Sequence, residues 1–427
     1  MNNKTTTYRN YKFRIYPNNK QKTAFAKNFG ACRFVWNWAL EQRNNAYNDS
    51  NGKEIKSSFI MKKELTKLKK LDEYSWLNEV ITQSLQCSLI NLDNAFKNFF
   101  KKRANFPKFK SKKNNRQTFH VPQRIFLSFD KQELKFDRFP KVKIKISRGF
   151  EGKIKNLTIE KTASGKYFAI FCVEQEQKAV KQKKITEKLT VGIDVGLTSF
   201  VTLSDGTKVD NPRHFAKSQK KLKKLQRQLS KKKVGSSNRS KARLSVARCY
   251  EQISNQRKDF LDKLSTQLTN DSKVSTYAVE TLNVAGMLKN KRLAKHISSA
   301  SWSMFLRMLE YKMKERGKHV IKIGRFEPSS KMCFDCGSIN NELKLSDRTW
   351  TCSNCSVVHD RDINAAKNIK LYALNKSNLV GQVLPELAAC GSKTLADCAL
   401  LGTTTVVQKS QAEPRRRQNS NESSQVL

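Results

Sequence analysis

Alternating apolar and polar residues predict β-strands in two parts of the chain. Within residues 121–174, the segments KVKIKI and NLTIEKTASGKYFAIFCVE show this alternation, and a Ser-Gly pair in the second segment predicts a hairpin turn. Within residues 189–209, LTVGIDVGLTSFVTLSDGTKV predicts three strands separated by glycine-containing turns. A further β-branched run, VSTYAVETL, predicts a short strand that ends at Glu280.

Apolar residues at helical spacing predict that residues 20–110 are mostly helical. The aromatic residues expected in the core of this region are Phe25, Phe29, Phe34, Trp36, Trp38, Phe96, Phe99 and Phe100.

A second helical pattern covers residues 215–270 and predicts an antiparallel hairpin around the turn VGSSN. The first helix is expected to contribute Leu222, Leu225 and Leu229 to the seam, and the second Leu244, Ile253, Phe260 and Leu264. Beyond about residue 375 the apolar periodicity fades, so residues 375–427 are predicted to be disordered.

The net charge of the chain indicates which class of partner it binds. The 427-residue chain has 84 Lys and Arg against 36 Asp and Glu, a net charge of +48. Such a field favours a polyanionic partner, with nucleic acid first and an ordinary solvated basic surface as the alternative. The N-terminus lacks the apolar segment of a signal peptide, and no apolar run approaches the roughly 20 residues of a membrane span. We therefore expect a cytosolic protein with no membrane partner.

Four of the ten cysteines have the spacing of a metal site. Cys333 and Cys336 form one C-x2-C pair, and Cys352 and Cys355 form another after fifteen residues. Two such pairs supply the closed tetrahedral thiolate set that structural Zn²⁺ prefers, which leaves no open position for catalysis. His359 follows closely, and we interpret it as a supporting residue because the cysteines already fill the site.

Acidic residues at the ends of predicted elements suggest a second metal site. Asp194 lies on a predicted strand between Gly192 and Gly196, which should leave its carboxylate uncrowded, and Glu280 ends another strand. Asp360 and Asp362 precede a predicted helix, where an isolated Asp is most often only a cap. Carboxylates from separate elements in a basic protein can hold two hard cations about 4 Å apart for phosphodiester cleavage.

Together the motifs VGIDVGL, VETLNVAGM, LAKHISSASWSMFLRMLEYK, PSSKMCFDCG and HDRDINAAKN resemble the TnpB/OrfB family of transposon-encoded nucleases, which are relatives of type V CRISPR effectors. The similarity is interspersed over roughly residues 8 to 370. It implies an RNA-guided endonuclease that cuts double-stranded DNA beside a short fixed motif, using a guide RNA from the transposon end. It also implies that Asp194, Glu280 and Asp362 are the catalytic ligands of two Mg²⁺ ions. Ser356 departs from the family pattern, because a glycine often follows the last cysteine.

The implied fold class is mixed α/β, with an RNase H-like (RuvC) nuclease domain that carries an inserted helical hairpin and a four-cysteine zinc ribbon. A helical recognition region and a small β-barrel-like region come before it. The expected boundaries are 1–19 for the first barrel strand, 20–115 for the helical region, 116–184 for the rest of the barrel, 185–374 for the nuclease with insertion 215–270 and zinc ribbon 328–359, and 375–427 for the tail.

Candidate nucleic-acid contacts come from three places. The basic loop at 101–116 and the lysine-rich first helix of the hairpin suit phosphate contact, and the hairpin is expected to face an RNA–DNA duplex. Amides near residue 83 and at the start of the β region suit base-edge recognition. The candidates are Gln83, Gln86, Lys108, Lys110, Lys112, Lys113, Gln117, Thr118, Gln123, Lys220, Lys224 and Arg227.

Two alternatives remain beside the guided nuclease. One is a transposase that joins DNA strands on a similar fold, and the other is a nuclease-silent, RNA-guided DNA-binding regulator. The zinc motif just before the third carboxylate resembles the guided nucleases and not the transposases, and all three carboxylates are present.

Overall fold

The computed structural model describes residues 4–51, 56–113, 116–137, 139–178, 180–344 and 346–377. These residues form two compact units. The first holds the described residues of 1–181 and 213–262, and the second holds 182–212 and those from 263 onward. Most of the tail predicted to be disordered lies outside the described residues.

The first unit is built on a nearly closed, barrel-like sheet of seven antiparallel strands in the order β2-β6-β7-β1-β5-β4-β3. Its long strand β1 pairs with β7 along almost its whole length. The predicted Ser-Gly hairpin between β6 and β7 is confirmed, with Gly165 in the left-handed region at φ 79°. The strands are β1 (Lys4–Tyr16), β2 (Gln117–Val121), β3 (Ile125–Ser128), β4 (Glu133–Phe136), β5 (Phe139–Lys145), β6 (Lys153–Lys161) and β7 (Tyr167–Lys178).

Helices α1 (Asn19–Asp49), α2 (Ser58–Leu68) and α3 (Thr82–Phe100), with a 3₁₀ helix at Asp72–Glu79, confirm the predicted helical region. Phe25 and Phe29 of α1 are buried and pack against the aromatic rings of the sheet. The core prediction for Phe100 is wrong, because its side chain is 63% exposed at the end of α3.

The predicted helical hairpin consists of α4 (His214–Ser230) and α5 (Ser237–Asn270). Leu222 packs against Ile253 as expected, but Val246 and Cys249 complete this core instead of Leu244. Nine residues separate Leu244 from Ile253, and at about 100° per residue that separation places them on opposite faces of a helix.

The second unit contains a five-stranded sheet in the order β10-β9-β8-β11-β12, and the strands predicted from the sequence are confirmed. Strand β8 is central, antiparallel to β9 and parallel to β11. The strands are β8 (Thr190–Asp194), β9 (Ser199–Leu203), β10 (Lys208–Asp210), β11 (Thr276–Val279) and β12 (His319–Lys322), with β13 (Thr349–Thr351) and β14 (Val358–Asp360) in a separate ribbon.

The described helices of this unit are the end of α5 from Lys263 onward, α6 (Val284–Met287), α7 (Ala294–Ala300), α8 (Trp302–Glu315) and α9 (Arg361–Lys376). Among the described helices of the chain, none combines the length and the apolar character that a membrane crossing requires.

Helix α9 packs very closely on β8 at Gly192. A Cβ atom at Gly192 would lie 1.9 Å from the carbonyl oxygen of Ala366 and 2.9 Å from the backbone nitrogen of Lys370. Gly192 is therefore required for helix–strand packing, which differs from the expectation that it only leaves room around Asp194.

We expect Gly192→Ala to destabilise the second unit by at least about 3 kcal/mol, because the added methyl group meets backbone atoms that cannot rotate away. Gly149→Ala is the matched control, since nothing lies within 4 Å of a Cβ atom there. Urea unfolding of the two variants measures the difference. Equal stabilities would show that α9 does not rest on this contact.

Candidate carboxylate site and cysteine cluster

Asp194 and Glu280 lie at the same edge of the second sheet. Asp194 is the last residue of β8, and Glu280 directly follows β11. The two strands are parallel neighbours, with Ile193 opposite Val279, so their carboxyl ends meet. Asp362 comes to this edge from the first turn of α9, one turn before Ala366 at the Gly192 contact.

The electrostatics of these residues show that the carboxylates lie close enough to interact. Burial, and then the negative charges of Asp362 and Glu280, raise the pKa of Asp194 to about 7. Burial also raises the pKa of Glu280. Neighbouring carboxylates that resist ionisation in this way are stabilised by a bound cation, and carboxylate oxygens are the ligands that Mg²⁺ prefers.

Two arginines form ion pairs with the carboxylate of Asp362. Arg361 Nη2 lies 3.3 Å from one carboxylate oxygen, and Arg348 Nη1 lies 3.6 Å from the other. Arg348 also donates a hydrogen bond of 3.2 Å to Thr198 Oγ1. Among the described residues, the three carboxylates do not form a group whose ligand atoms all lie within 4.8 Å of one another, as the cysteines do.

The side chain of Asp360 caps α9 and pairs with Lys208. Its Oδ1 accepts hydrogen bonds from the backbone nitrogens of Asp362 and Ile363, at 3.1 and 3.0 Å, and so caps α9. Its Oδ2 lies 2.6 Å from Lys208 Nζ. Asp360 therefore serves the helix cap and Lys208, whereas Asp362 is the aspartate whose charge acts on Asp194, which favours Asp362 as a metal ligand.

The four cysteines of the predicted zinc site converge on one point, with all their sulfur atoms within 4.8 Å of one another. Cys333 Sγ lies 3.6 Å from Cys355 Sγ, and Cys336 Sγ lies 3.5 Å from Cys352 Sγ. Sulfur atoms about 2.3 Å from a tetrahedral zinc ion are separated by about 3.8 Å, so the cluster fits this ion. The group can hold a metal.

His359 contacts the cysteine cluster at Cys333. Its Nε2 is 3.0 Å from Cys333 Sγ, and its ring packs on Trp350 at a centroid distance of 4.8 Å. His359, Asp335 and Cys333 form a second group with metal-ligating atoms in reach of one another. Since four sulfurs already complete a tetrahedron, the geometry suits a hydrogen bond from His359 to a Cys333 thiolate.

Two buried asparagines, which the sequence analysis missed, connect α9 to the cysteine segment. Asn364 Nδ2 donates to the Met332 carbonyl at 2.7 Å, and its Oδ1 accepts from Phe334 N at 3.0 Å. Asn368 Nδ2 donates to the carbonyls of Ser329 and Met332, at 2.8 and 2.6 Å. Amides four residues apart on one face of a predicted helix were the available signal.

The nucleic-acid candidates differ in exposure. The lysines of the loop and hairpin, together with Arg227 and Gln123, are exposed, whereas Gln83, Gln86, Gln117 and Thr118 are partly buried. The loop is fixed to α1, because Trp36 donates to the Lys108 carbonyl at 3.1 Å and Asn37 pairs with the Lys110 backbone. The Lys110 ammonium lies 3.5 Å from the centroid of the Trp36 ring.

A pocket of about 500 Å³ lies beside the start of α3 in the first unit. Gln83 lines this pocket together with the basic residue Lys20 and with two ion pairs, Lys27 with Glu79 and Arg124 with Asp137. Gln86 does not contribute to its lining.

Comparison with known proteins identifies relatives along most of the chain. Family models described as "Probable transposase", "Cas12f1-like, TNB domain" and "Helix-turn-helix domain" match residues 170–291, 302–369 and 5–53. A Streptomyces pristinaespiralis protein named as an RNA-guided DNA endonuclease is 38% identical over 88% of this chain and 92% of its own length. InsQ of Escherichia coli K12, also named as an RNA-guided DNA endonuclease, is 32% identical over 84% and 90%.

The fold is similar to that of a solved complex. The cryo-EM structure of a Cas12f1–sgRNA–target DNA complex matches with a TM-score of 0.54, covering 86% of this chain and 99% of that chain. The sequence identity is 13%, so this similarity concerns the fold alone.

We expect purified protein to contain about one zinc ion per chain and Cys352→Ser to lose it. Structural zinc contributes on the order of 10 kcal/mol to local folding, so the variant should also lose the order of the 328–359 segment. Elemental analysis measures the metal. Cys172→Ser is the control, because Cys172 lies outside the cluster in β7 and should retain full zinc content. A wild-type preparation that is metal-free and still folded in this segment would contradict the assignment.

The raised pKa of Asp194 predicts a pH-dependent stability. A carboxyl group whose pKa rises from about 3.8 to about 7 on folding stabilises the fold when protonated, and this contribution is lost as the pH rises through 7. In magnesium-free buffer, the stability advantage of Asp194→Asn over wild type should therefore grow by about 2 to 3 kcal/mol between pH 5 and pH 8. Urea unfolding at the two pH values measures it. A difference that is independent of pH would contradict the prediction.

Proposed function

This chain belongs to the family of RNA-guided DNA endonucleases of the transposon TnpB type, and we propose that it cleaves double-stranded DNA beside a short adjacent motif through a two-metal site at Asp194, Glu280 and Asp362. The observation that carries the proposal is the meeting of these carboxylates at one sheet edge, where mutual repulsion and burial raise the pKa of Asp194 to about 7. In this proposal the second unit is a RuvC-type nuclease of RNase H-like fold, and the cysteine cluster is its zinc ribbon.

The carboxylates would hold two Mg²⁺ ions, which when bound supply activation of a water molecule and stabilisation of the leaving oxygen. Asp194 interacts electrostatically with both of the other acids. Bound cations would compete with its proton, so the affinity of the site for Mg²⁺ should rise as the pH approaches 7. Arg348, which is 53% exposed beside Asp362, is placed to contact a phosphate oxygen of the DNA.

The partners we propose are a guide RNA from the transposon end and the double-stranded DNA that it selects. A chain with a net charge of +48 binds both polyanions strongly but without sequence preference. Sequence selection is then left to base pairing with the guide, and the protein itself reads only the adjacent motif.

The family model for residues 170–291 carries the description of a transposase, which is the second function considered from the sequence. The relatives that cover most of the chain are instead named as endonucleases, and the match at 302–369 includes the cysteine cluster. These observations favour cleavage over strand transfer. The intact carboxylates likewise favour an active nuclease over a silent regulator.

Substitution of the carboxylates tests the nuclease directly. Asp194→Ala, Glu280→Ala and Asp362→Ala should each lower guided DNA cleavage at least about 100-fold with RNA and DNA binding retained, because metal ligands are lost and the basic surface is not. Asp360→Asn is the matched comparison. It should be milder, because an Asn side chain still caps α9 and only the ion pair with Lys208 is lost. Cleavage rates and filter-binding affinities are measured together, and a cleaving Asp362→Asn protein beside an inactive Asp360→Asn protein would reverse the assignment.

The pocket at Gln83 is the proposed reader of the adjacent motif, since an amide can recognise an adenine edge while the neighbouring Lys20 contacts a phosphate. Gln83→Ala should impair cleavage of duplex targets by about 10-fold or more, but not cleavage of single strands already complementary to the guide. Gln86→Ala, three residues away and outside the pocket lining, should have the smaller effect. A randomised flanking library measures the preferred motif. Equal losses on both substrates would remove this pocket from recognition.

A further inference from the structure

Residues 324–328 form a short loop whose two ends are held by the elements that carry the carboxylates. At its start, Ile323 N donates to the Val279 carbonyl at 3.0 Å, and the Ile323 carbonyl accepts from Thr281 Oγ1 at 2.7 Å. Val279 and Thr281 are the two neighbours of Glu280. The start of the loop is therefore fixed beside Glu280.

The end of the same loop is fixed to α9. The carbonyl of Ser329, which is itself buried, accepts a hydrogen bond of 2.8 Å from the amide of Asn368. Helix α9 carries Asp362 in its first turn. The loop thus connects the strand end at Glu280 to the helix of Asp362.

Phe326 lies in the middle of this loop with its side chain 90% exposed. It follows Ile323 by three residues, so its backbone lies within about 10 Å of the point fixed beside Glu280. Its neighbour Arg325 is also exposed. A single exposed apolar residue is common on protein surfaces, but this one is an aromatic ring on an anchored loop at the edge of the carboxylate site.

We propose that Phe326 stacks on a base of the DNA strand that is being cleaved and so holds the scissile phosphate against the carboxylates, with Arg325 contacting the backbone; this inference rests on the proposed nuclease function. Aromatic rings stack on any base, because every base has a π-face. A contact of this kind adds affinity without sequence preference, which suits an enzyme whose target is chosen by RNA. It requires a base with one free face, so the base must be unstacked on one side at this point.

The test uses the full-length chain, coexpressed with the DNA that flanks its gene so that it carries its own RNA. Sequencing the copurified RNA defines the target, and wild-type products with Mg²⁺ map the cleaved positions. Target strands with 2-aminopurine at those positions then report stacking by their fluorescence, with Ca²⁺ replacing Mg²⁺ to prevent hydrolysis. Single-turnover rates with Mg²⁺ and target affinities complete the measurements.

Phe326→Ala should lower the cleavage rate about 10-fold, abolish the 2-aminopurine quenching at the cleaved position and weaken target affinity about fivefold. Phe326→Trp should restore both signals. Val358→Ala is the matched control in the same unit, because it removes another exposed apolar side chain, 68% exposed, and should behave as wild type.

Two results distinguish a failure of the stacking proposal from a failure of the proposed nuclease function. If the wild-type complex cleaves its target and Phe326→Ala has the same rate and the same fluorescence, the stacking role is wrong and the nuclease function stands. If the wild-type complex binds the target but does not cut it, the nuclease function is wrong. In that case, 2-aminopurine is placed at successive positions of the target strand in Ca²⁺. Its fluorescence then shows whether Phe326 stacks on DNA.

Discussion

The contact between Gly192 and the backbone of Ala366 is the constraint on which the carboxylate site depends. A helix can approach a strand this closely only where the strand has no side chain and the helix face is small, and α9 supplies buried Ala365 and Ala366 at this point. The contact fixes Asp362 relative to Asp194, since each lies within a few residues of it. Asp362 also lies in the first turn of α9, where the helix dipole favours a negative charge.

The segment that carries the cysteine cluster contacts the opposite face of α9. Asn364 and Asn368 bind the carbonyls that precede Cys333, and His359 contacts the Cys333 sulfur one residue before the cap of α9. A metal held by four thiolates cannot take part in hydrolysis, but it can keep this segment folded. The cysteine cluster and the carboxylates are thus connected through α9, and in the proposed function the structural and catalytic roles would be divided between these two sets of residues.

Local patterns in the sequence predicted the features that short-range geometry determines. The strand ends at Asp194 and Glu280, the convergence of the four cysteines, and the hairpin core at Leu222 and Ile253 all follow from spacing along the chain. Contacts between distant segments were not predictable in the same way. The approach of Ala366 to Gly192 joins residues more than 150 positions apart. The pairing of Arg348 with Asp362 joins a residue of α9 to one outside that helix. Leu244 shows a simpler error, because its phase along the helix opposes that of Ile253.

The charge distribution couples metal binding to DNA binding. The chain as a whole is strongly basic and attracts a phosphate backbone from any direction, whereas its carboxylate site repels phosphate. In the proposed function, cations held by Asp194, Glu280 and Asp362 would reverse that local repulsion. Metal binding would then raise the affinity for DNA, and DNA binding would raise the affinity for the metal. Because the pKa of Asp194 is about 7, the ionisation that lowers the stability of the free protein would be the condition for binding the cations.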